Sequence, residues 1–188
     1  MDGLVRKARK RDKEAFGQLI RQHTPGMYKV AKAILKNDED AADAIQETAL
    51  TCWEKLGILK KDKYFKTWMT RILINHCNQI YRQRSRMVSE VILPEEGAAE
   101  ESYAAVEWRE FLQCLEEKYR IVTILYYVEG FKIREIAEIL QVNEKTVSGR
   151  LATARDRMEK QYTREKSPAF ICQLNSNSRS VERKEMLL

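Results

Sequence analysis

The sequence is poor in the residues that break helices and in those that build covalent or metal frameworks. Its 188 residues include only seven glycines and three prolines, too few for a β-rich or low-complexity protein. The four cysteines, Cys52, Cys77, Cys114 and Cys172, are widely spaced and form no Cys-x-x-Cys pair. With only two histidines beside them, no metal site is expected, and reduced thiols in a cytosol are the default. No apolar run approaches the roughly 18 residues of a membrane span, and the mean hydropathy is −0.55. Arg6, Lys7, Arg9, Lys10, Arg11 and Lys13 lead no apolar stretch, so a secretory signal is not expected either. These absences lead to the expectation of a cytoplasmic, mostly helical protein with no direct membrane insertion and no cofactor.

Charge is plentiful, and its distribution is uneven. The chain carries 34 Lys and Arg against 28 Asp and Glu, a net +6. Residues 1–90 hold 19 basic and 11 acidic side chains, whereas 91–110 hold 1 and 6. A basic block followed by a short acidic segment suggests a polyanion-binding domain and a tether of opposite sign. The segment Pro94-Glu95-Glu96-Gly97-Ala98-Ala99-Glu100-Glu101 has turn formers and no apolar period, as a linker does.

Helical spacing runs over about 12–36, 38–57 and 62–84, then over about 105–118, 118–129, 132–140 and 143–160. The expected fold is all-α: two small helical domains joined by an acidic flexible linker, the second containing a helix-turn-helix. Residues 1–87 form the first domain, 88–105 the linker and 106–162 the second domain. After Tyr162 the pattern decays, and 163–188 is expected to be a disordered tail.

The helix-turn-helix is the most specific signal. Its first helix is expected to bury Ile136 and Leu140, with Ala137 leaving room for a crossing helix. Asn143 suits an N-cap, and Glu144 suits the positive start of the next helix. Val147, Leu151, Ala154 and Met158 then recur at four, three and four residues as one inward stripe. The other faces present Lys145, Thr146, Ser148, Gly149, Arg150, Thr153 and Arg155, side chains that suit base edges and phosphates in a major groove. The tight turn, where Gly is usual, has Gln141 instead. The plainer alternative is an amphipathic helix pair that only packs.

The first domain shows two two-faced helices. Over 62–84, Phe65, Met69, Ile72, His76 and Ile80 fall on one face beside Trp68. Opposite lie Thr67, Arg71, Asn75, Asn78 and Arg82, a polar stripe about 20 Å long at the helical rise per residue. It ends in Arg82, Arg84 and Arg86. Amides, hydroxyl and guanidinium hydrogen-bond bases, and the basic run meets phosphates. Tyr64, Phe65 and Trp68 either stack on unpaired bases or belong to the core. Over 38–57, Ile45, Ala49, Cys52 and Leu56 are expected inward, with Asp43, Glu47, Leu50 and Glu54 outward. An acidic stripe with an outward leucine is either a solvated face or the docking face for a basic protein partner.

Taken together over about 14–160, these segments resemble the sigma-70 family of bacterial RNA polymerase sigma factors, in its small extracytoplasmic-function (ECF) group. The resemblance rests on Asp40-Ala41-Ala42-Asp43-Ala44-Ile45-Gln46-Glu47, on Phe65-Lys66-Thr67-Trp68-Met69-Thr70-Arg71-Ile72 with Asn75, and on Tyr127-Val128-Glu129-Gly130-Phe131 ahead of the helix-turn-helix. Thr146-Val147-Ser148-Gly149-Arg150-Leu151 follows the family pattern with Gly149 in place of a serine.

The resemblance implies a protein that binds core RNA polymerase and directs promoter-specific initiation. Asp40, Asp43, Gln46, Glu47, Leu50 and Glu54 would meet the clamp helices of the largest subunit. Lys61, Lys63, Lys66, Thr67, Arg71, Asn75, Asn78 and Arg82 would read and open the minus-ten element. Asn143, Lys145, Thr146, Ser148, Gly149, Arg150, Thr153 and Arg155 would read the minus-thirty-five element as duplex. The loop Leu59-Lys60-Lys61-Asp62-Lys63 resembles one that captures a flipped base, though lysine-rich here. The further implied partners are the polymerase flap, promoter DNA and an anti-sigma factor, with the acidic linker in the RNA-exit path. The alternative is a stand-alone helix-turn-helix regulator, which needs neither the acidic stripe nor a second DNA-facing helix. An enzyme acting on nucleic acid would want clustered carboxylates with histidine or a phosphate loop, and none is legible.

Overall fold

The computed structural model describes residues 2–87, 112 and 115–165. The acidic linker, most of the helix expected at 105–118 and the chain beyond Glu165 lie outside the described residues. Every regular element among those described is helical. The chain divides into two compact units, Met1–Glu100 with Ala137–Val142, and Glu101–Ile136 with Asn143–Leu188.

Four helices build the first unit: α1 Asp2–Arg9, α2 Lys13–Leu35, α3 Asp38–Lys55 and α4 Phe65–Met87. Helix α1 was not expected from the sequence. Its single apolar turn, with Val5 and Ala8 buried, packs on α2. Asp12 caps α2 by accepting from the Ala15 amide at 3.0 Å. Lys36 ends that helix in the left-handed region at φ 59°, its amide donating to Lys32 O. One residue later Asn37 caps α3, its Oδ1 accepting from the Glu39 amide at 2.8 Å. Asp38, Glu39 and Asp40 fill the first turn, where the helix dipole favours negative charge.

Helix α3 buries Ala41, Ala44, Thr48 and Cys52, small side chains that let it lie close to α2 and α4. The Thr48 hydroxyl donates to Ala44 O within its own helix, so burial leaves it satisfied. Ile45 and Ala49, expected inward, are only half-buried. The core between the helices is filled by Leu19, Phe65, Met69 and Leu73, each worth about 1.5–3 kcal/mol on burial.

Helix α4 is rotated from the expected orientation. Its inner face is Phe65, Met69, Leu73 and Cys77, flanked by Thr70 and Ile74; Ile72, His76 and Ile80 are half-buried. Two 3₁₀ turns, Leu56–Ile58 and Asp62–Tyr64, bridge α3 to α4.

After residue 115 come α5 Glu117–Thr123, a π-turn Ile124–Val128, α6 Ile133–Leu140 and α7 Glu144–Glu165. The buried Arg120 guanidinium donates to Leu112 O at 2.9 Å and Leu115 O at 2.7 Å, satisfying carbonyls ahead of α5. Glu129 N–H reaches back to Ile124 O, the wide π register, and Gly130 at φ 69° turns the chain out of it. Helix α5 packs on α7. Glu116 joins the two, 2.7 Å from Arg157. Helix α7 extends three residues past the expected domain end at Tyr162.

Candidate protein and nucleic-acid interfaces

On α3 the outward residues are Asp43, Gln46, Glu47, Leu50 and Glu54, all exposed, and Leu50 is 58% exposed although apolar. None of them is needed for the core. Asp43, Gln46 and Glu47 form one wall of a groove of about 460 Å³, with His76, Gln79, Ile80 and Gln83 of α4 opposite. His76 shares a hydrogen bond of 3.1 Å with Thr51, which holds its ring beside the groove. The groove is therefore acidic on one wall, amide-lined on the other and open to a protein surface bearing cations.

Asp40 departs from this stripe. It is 6% exposed and pairs with Arg84 at 2.7 Å. The first turn of α3 lies against the end of α4, so this carboxylate serves the fold rather than presenting itself to a partner.

The polar stripe of α4 survives in part. Arg71, Asn75 and Arg82 are exposed and Asn78 is half-buried. Thr67 is a correction: it is buried, 9% exposed. The consecutive Ile72-Leu73-Ile74 offers apolar side chains on neighbouring faces, and packing selected Leu73 and Ile74, which carries Thr67 inward. Arg84, expected to meet phosphate, is held by Asp40. In the preceding loop Lys60, Lys61 and Lys63 are exposed and Lys66 half-buried. Lys63 lies 5.1 Å from the Tyr64 ring centre, and Ile58 and Tyr64 are exposed beside it. Phe65 is buried and Trp68 half-buried, so of the three aromatics weighed for base stacking only Tyr64 is exposed.

In α7 the inward stripe Val147, Leu151, Ala154 and Met158 is buried as expected. In α6 Ile136, Ala137 and Ile139 are buried, and Leu140, expected inward, is half-buried. Gln141 occupies the left-handed region at φ 57°, and Val142 N–H donates to Ala137 O at 3.1 Å. That bond is the six-to-one closure of a Schellman turn, so the turn forms without glycine. Asn143 Oδ1 accepts from the Thr146 amide at 2.6 Å and the Thr146 hydroxyl at 2.8 Å. Both polar groups are thus engaged in starting the helix.

Beyond the cap, Lys145, Ser148 and Gly149 are exposed, and Arg150 and Thr153 half-buried. A Cβ at Gly149 would meet nothing within 4 Å, so packing does not require glycine there. Thr153 donates to Gly149 O. Arg155 is exposed but tethered, its Nε donating to the Tyr127 hydroxyl at 2.6 Å.

The sequence matches the family models "Sigma-70 region 2" over residues 19–87 and "Sigma-70, region 4" over 105–158. RNA polymerase sigma factor SigV of Bacillus subtilis is 30% identical over 149 residues, 78% of this chain and 90% of SigV. The chain belongs to the sigma-70 family. ECF RNA polymerase sigma factor SigM of Mycobacterium tuberculosis is 28% identical over 150 residues, covering 78% of this chain and 76% of SigM. Among solved structures, CnrH in complex with the cytosolic domain of CnrY aligns with a TM-score of 0.67 at 24% identity, covering 88% of this chain and 98% of that one. RpoE in complex with the anti-sigma factor NepR from Bartonella quintana gives 0.69 at 22%, covering 80% and 98%. At these identities the structures speak to the fold alone.

Membership makes this chain a sigma factor of the ECF group, directing RNA polymerase to promoters, rather than a stand-alone regulator. The α3 stripe, the loop and α4 all lie in the region 2 match, and α6 and α7 up to Met158 in the region 4 match. No helix among the described residues is long and apolar enough to cross a membrane.

Proposed function

We propose that the chain divides its work as its two surfaces differ in charge. The α3 groove wall of Asp43, Gln46 and Glu47, with Leu50 and Glu54, docks on the clamp helices of the largest polymerase subunit. Arg71, Asn75, Asn78 and Arg82, with the lysines of the loop before α4, hold the opened minus-ten element. Lys145, Ser148, Gly149 and Arg150 of α7 read the minus-thirty-five element in its major groove, and this unit also meets the flap. Asn143 and Thr146 set the angle of that helix, and Arg155, fixed by Tyr127, meets backbone phosphate. Asp40 and Thr67 act through packing.

The observation that carries this division is the exposed acidic stripe with Leu50 at its centre, set in a basic unit. DNA repels such a stripe, and a fold does not need it. Unpaired bases are held by stacking and amides within a cationic surround, whereas duplex needs only a helix in the major groove. Neither unit alone binds tightly; polymerase fixes their spacing and raises the effective concentration of the second. The protein acts in the cytoplasm, carries out no catalysis of its own, threads its acidic linker through the RNA-exit path and is held inactive by an anti-sigma factor.

Asp43→Arg with Glu47→Arg is expected to abolish co-purification with core polymerase while leaving the thermal unfolding midpoint unchanged, because both side chains are exposed. Undiminished co-purification would remove the stripe from the polymerase interface.

A further inference from the structure

Helix α1 lies ahead of the region that the family models match, which begins at residue 19. Its two buried residues, Val5 and Ala8, are consumed by packing on α2. Its outer surface and the turn that follows carry Arg6, Lys7, Arg9, Lys10, Arg11 and Lys13, all exposed. Two of these cations are fasteners. Arg9 pairs with Asp62 at 3.0 Å, and Arg11 donates to Trp53 O at 2.9 Å with its guanidinium 5.2 Å from the Trp53 ring centre. Arg9 reaches the stretch joining α3 to α4, and Arg11 the last turn of α3 ahead of it.

Those contacts have an electrostatic consequence. Asp62 is the only acid among residues 55–66, and Arg9 neutralises it. Lys60, Lys61 and Lys63 are left as an uncompensated cationic edge, continuous through Arg9 with Arg6, Lys7, Lys10 and Lys13. Asp12, the nearest acid after α1, is turned to the Ala15 amide. Among the described residues, α1 presents no exposed large apolar side chain of the kind that centres a protein interface; its chemistry is that of a phosphate-binding face. At eight residues the helix is about 12 Å long, enough to follow about three successive phosphates of one strand at 3.4 Å each.

We infer that α1 is a second DNA-binding element of the first unit, taking backbone phosphates of the strand held by the 60–63 loop. Arg6, Lys7, Lys10 and Lys13 make the contacts; Arg9 positions the loop against the helix through Asp62, and Arg11 holds the end of α3 that leads into it. This inference rests on the proposed minus-ten role of that loop.

Because phosphate contacts are independent of sequence, the test needs no promoter. The full chain is titrated by fluorescence anisotropy with a labelled oligo-dT strand across a range of salt concentrations, and the slope of log K against log salt is read. The variant R6Q/K7Q/K10Q/K13Q is expected to bind more weakly, with a slope shallower by about 2–3 units, at about 0.7 per phosphate contact on a single strand. The swap R6K/K7R/K10R/K13R is expected to keep the parent slope, which separates charge from folding. A parallel variant, K60Q/K61Q/K63Q, reports on the loop.

If the loop variant flattens the slope and the α1 variant does not, the inference is overturned and the loop's role stands. If neither does, or the parent chain binds no strand at the lowest salt, both fall. A quadruple variant that keeps its slope but loses core polymerase assigns α1 to the polymerase instead, which also overturns the inference.

Discussion

Arg84 lies 2.7 Å from Asp40, joining the last turn of α4 to the first turn of α3. Asp40 is almost wholly buried, whereas the Arg84 side chain is about half exposed at 52%. Removing Arg84 therefore strands a carboxylate in a place it tolerates only when paired. Arg84→Ala is expected to destabilise the first unit by about 1–2 kcal/mol, between the ranges for exposed and buried pairs. Arg84→Ala with Asp40→Asn is expected to cost less than the sum of the single changes, as a double-mutant cycle in urea reveals. Burial lifts the Asp40 carboxyl above its ordinary 3.8, with Arg84 opposing and Asp43 adding to the rise. An acid so raised binds its proton better in the folded state. Its contribution is complete below the unfolded value and lost as pH rises through the folded one. Asp40→Asn is expected to flatten that loss of stability with rising pH; parallel pH curves would contradict the assignment.

Gln141 holds the turn between α6 and α7 at φ 57°, a region that costs a side chain about 1–2 kcal/mol. Gln141→Gly removes that strain but loosens the unfolded chain by about 0.4–1 kcal/mol. A net gain of about 0.5–1 kcal/mol is expected from thermal unfolding. Destabilisation would mean that the glutamine side chain itself supports the turn.

Arg150 stands half-buried in α7, three residues after Val147 and so at the edge of the buried stripe. In the holoenzyme, Arg150→Ala is expected to weaken binding to the minus-thirty-five duplex by about 1–3 kcal/mol if it reads a base edge. Equal loss on scrambled duplex would reduce it to a phosphate contact. Lys145→Ala is expected to weaken both duplexes alike and to flatten the salt slope by about one.

Cys52 and Cys77 are buried in α3 and α4, and burial pushes both thiols up to about 12. At about pH 8 only about one in ten thousand is a thiolate, the reactive form. In a Cys114→Ser, Cys172→Ser background, a disulfide reagent is expected to label neither until the protein is unfolded. Rapid labelling of the native state would mean that this core opens.

The inward stripe of α7 was legible because Val147, Leu151, Ala154 and Met158 are separated by small and polar residues, so only one face is apolar. Its cap was legible for the same local reason: Asn143 acts within three residues of itself. Helix α4 was harder. Ile72, Leu73 and Ile74 stand together, and periodicity cannot choose among adjacent apolar side chains; the neighbouring helices choose, and Thr67 follows them inward. Asp40 was misplaced because its partner is 44 positions away, across a helix pairing that spacing does not encode. Helix α1 escaped notice because Val5 and Ala8 make one turn of apolar pattern within a basic run. Its helicity comes from packing on α2 more than from its own sequence.

The central claim, a polymerase-dependent promoter factor, is tested most directly by run-off transcription. The purified chain, core RNA polymerase and a fragment from upstream of its own gene are combined, and polymerase is recovered from the same tubes. The expected result is a discrete transcript that requires both proteins, with the chain co-eluting with core. A chain that binds duplex by itself, yields no transcript and never accompanies the polymerase would contradict the account.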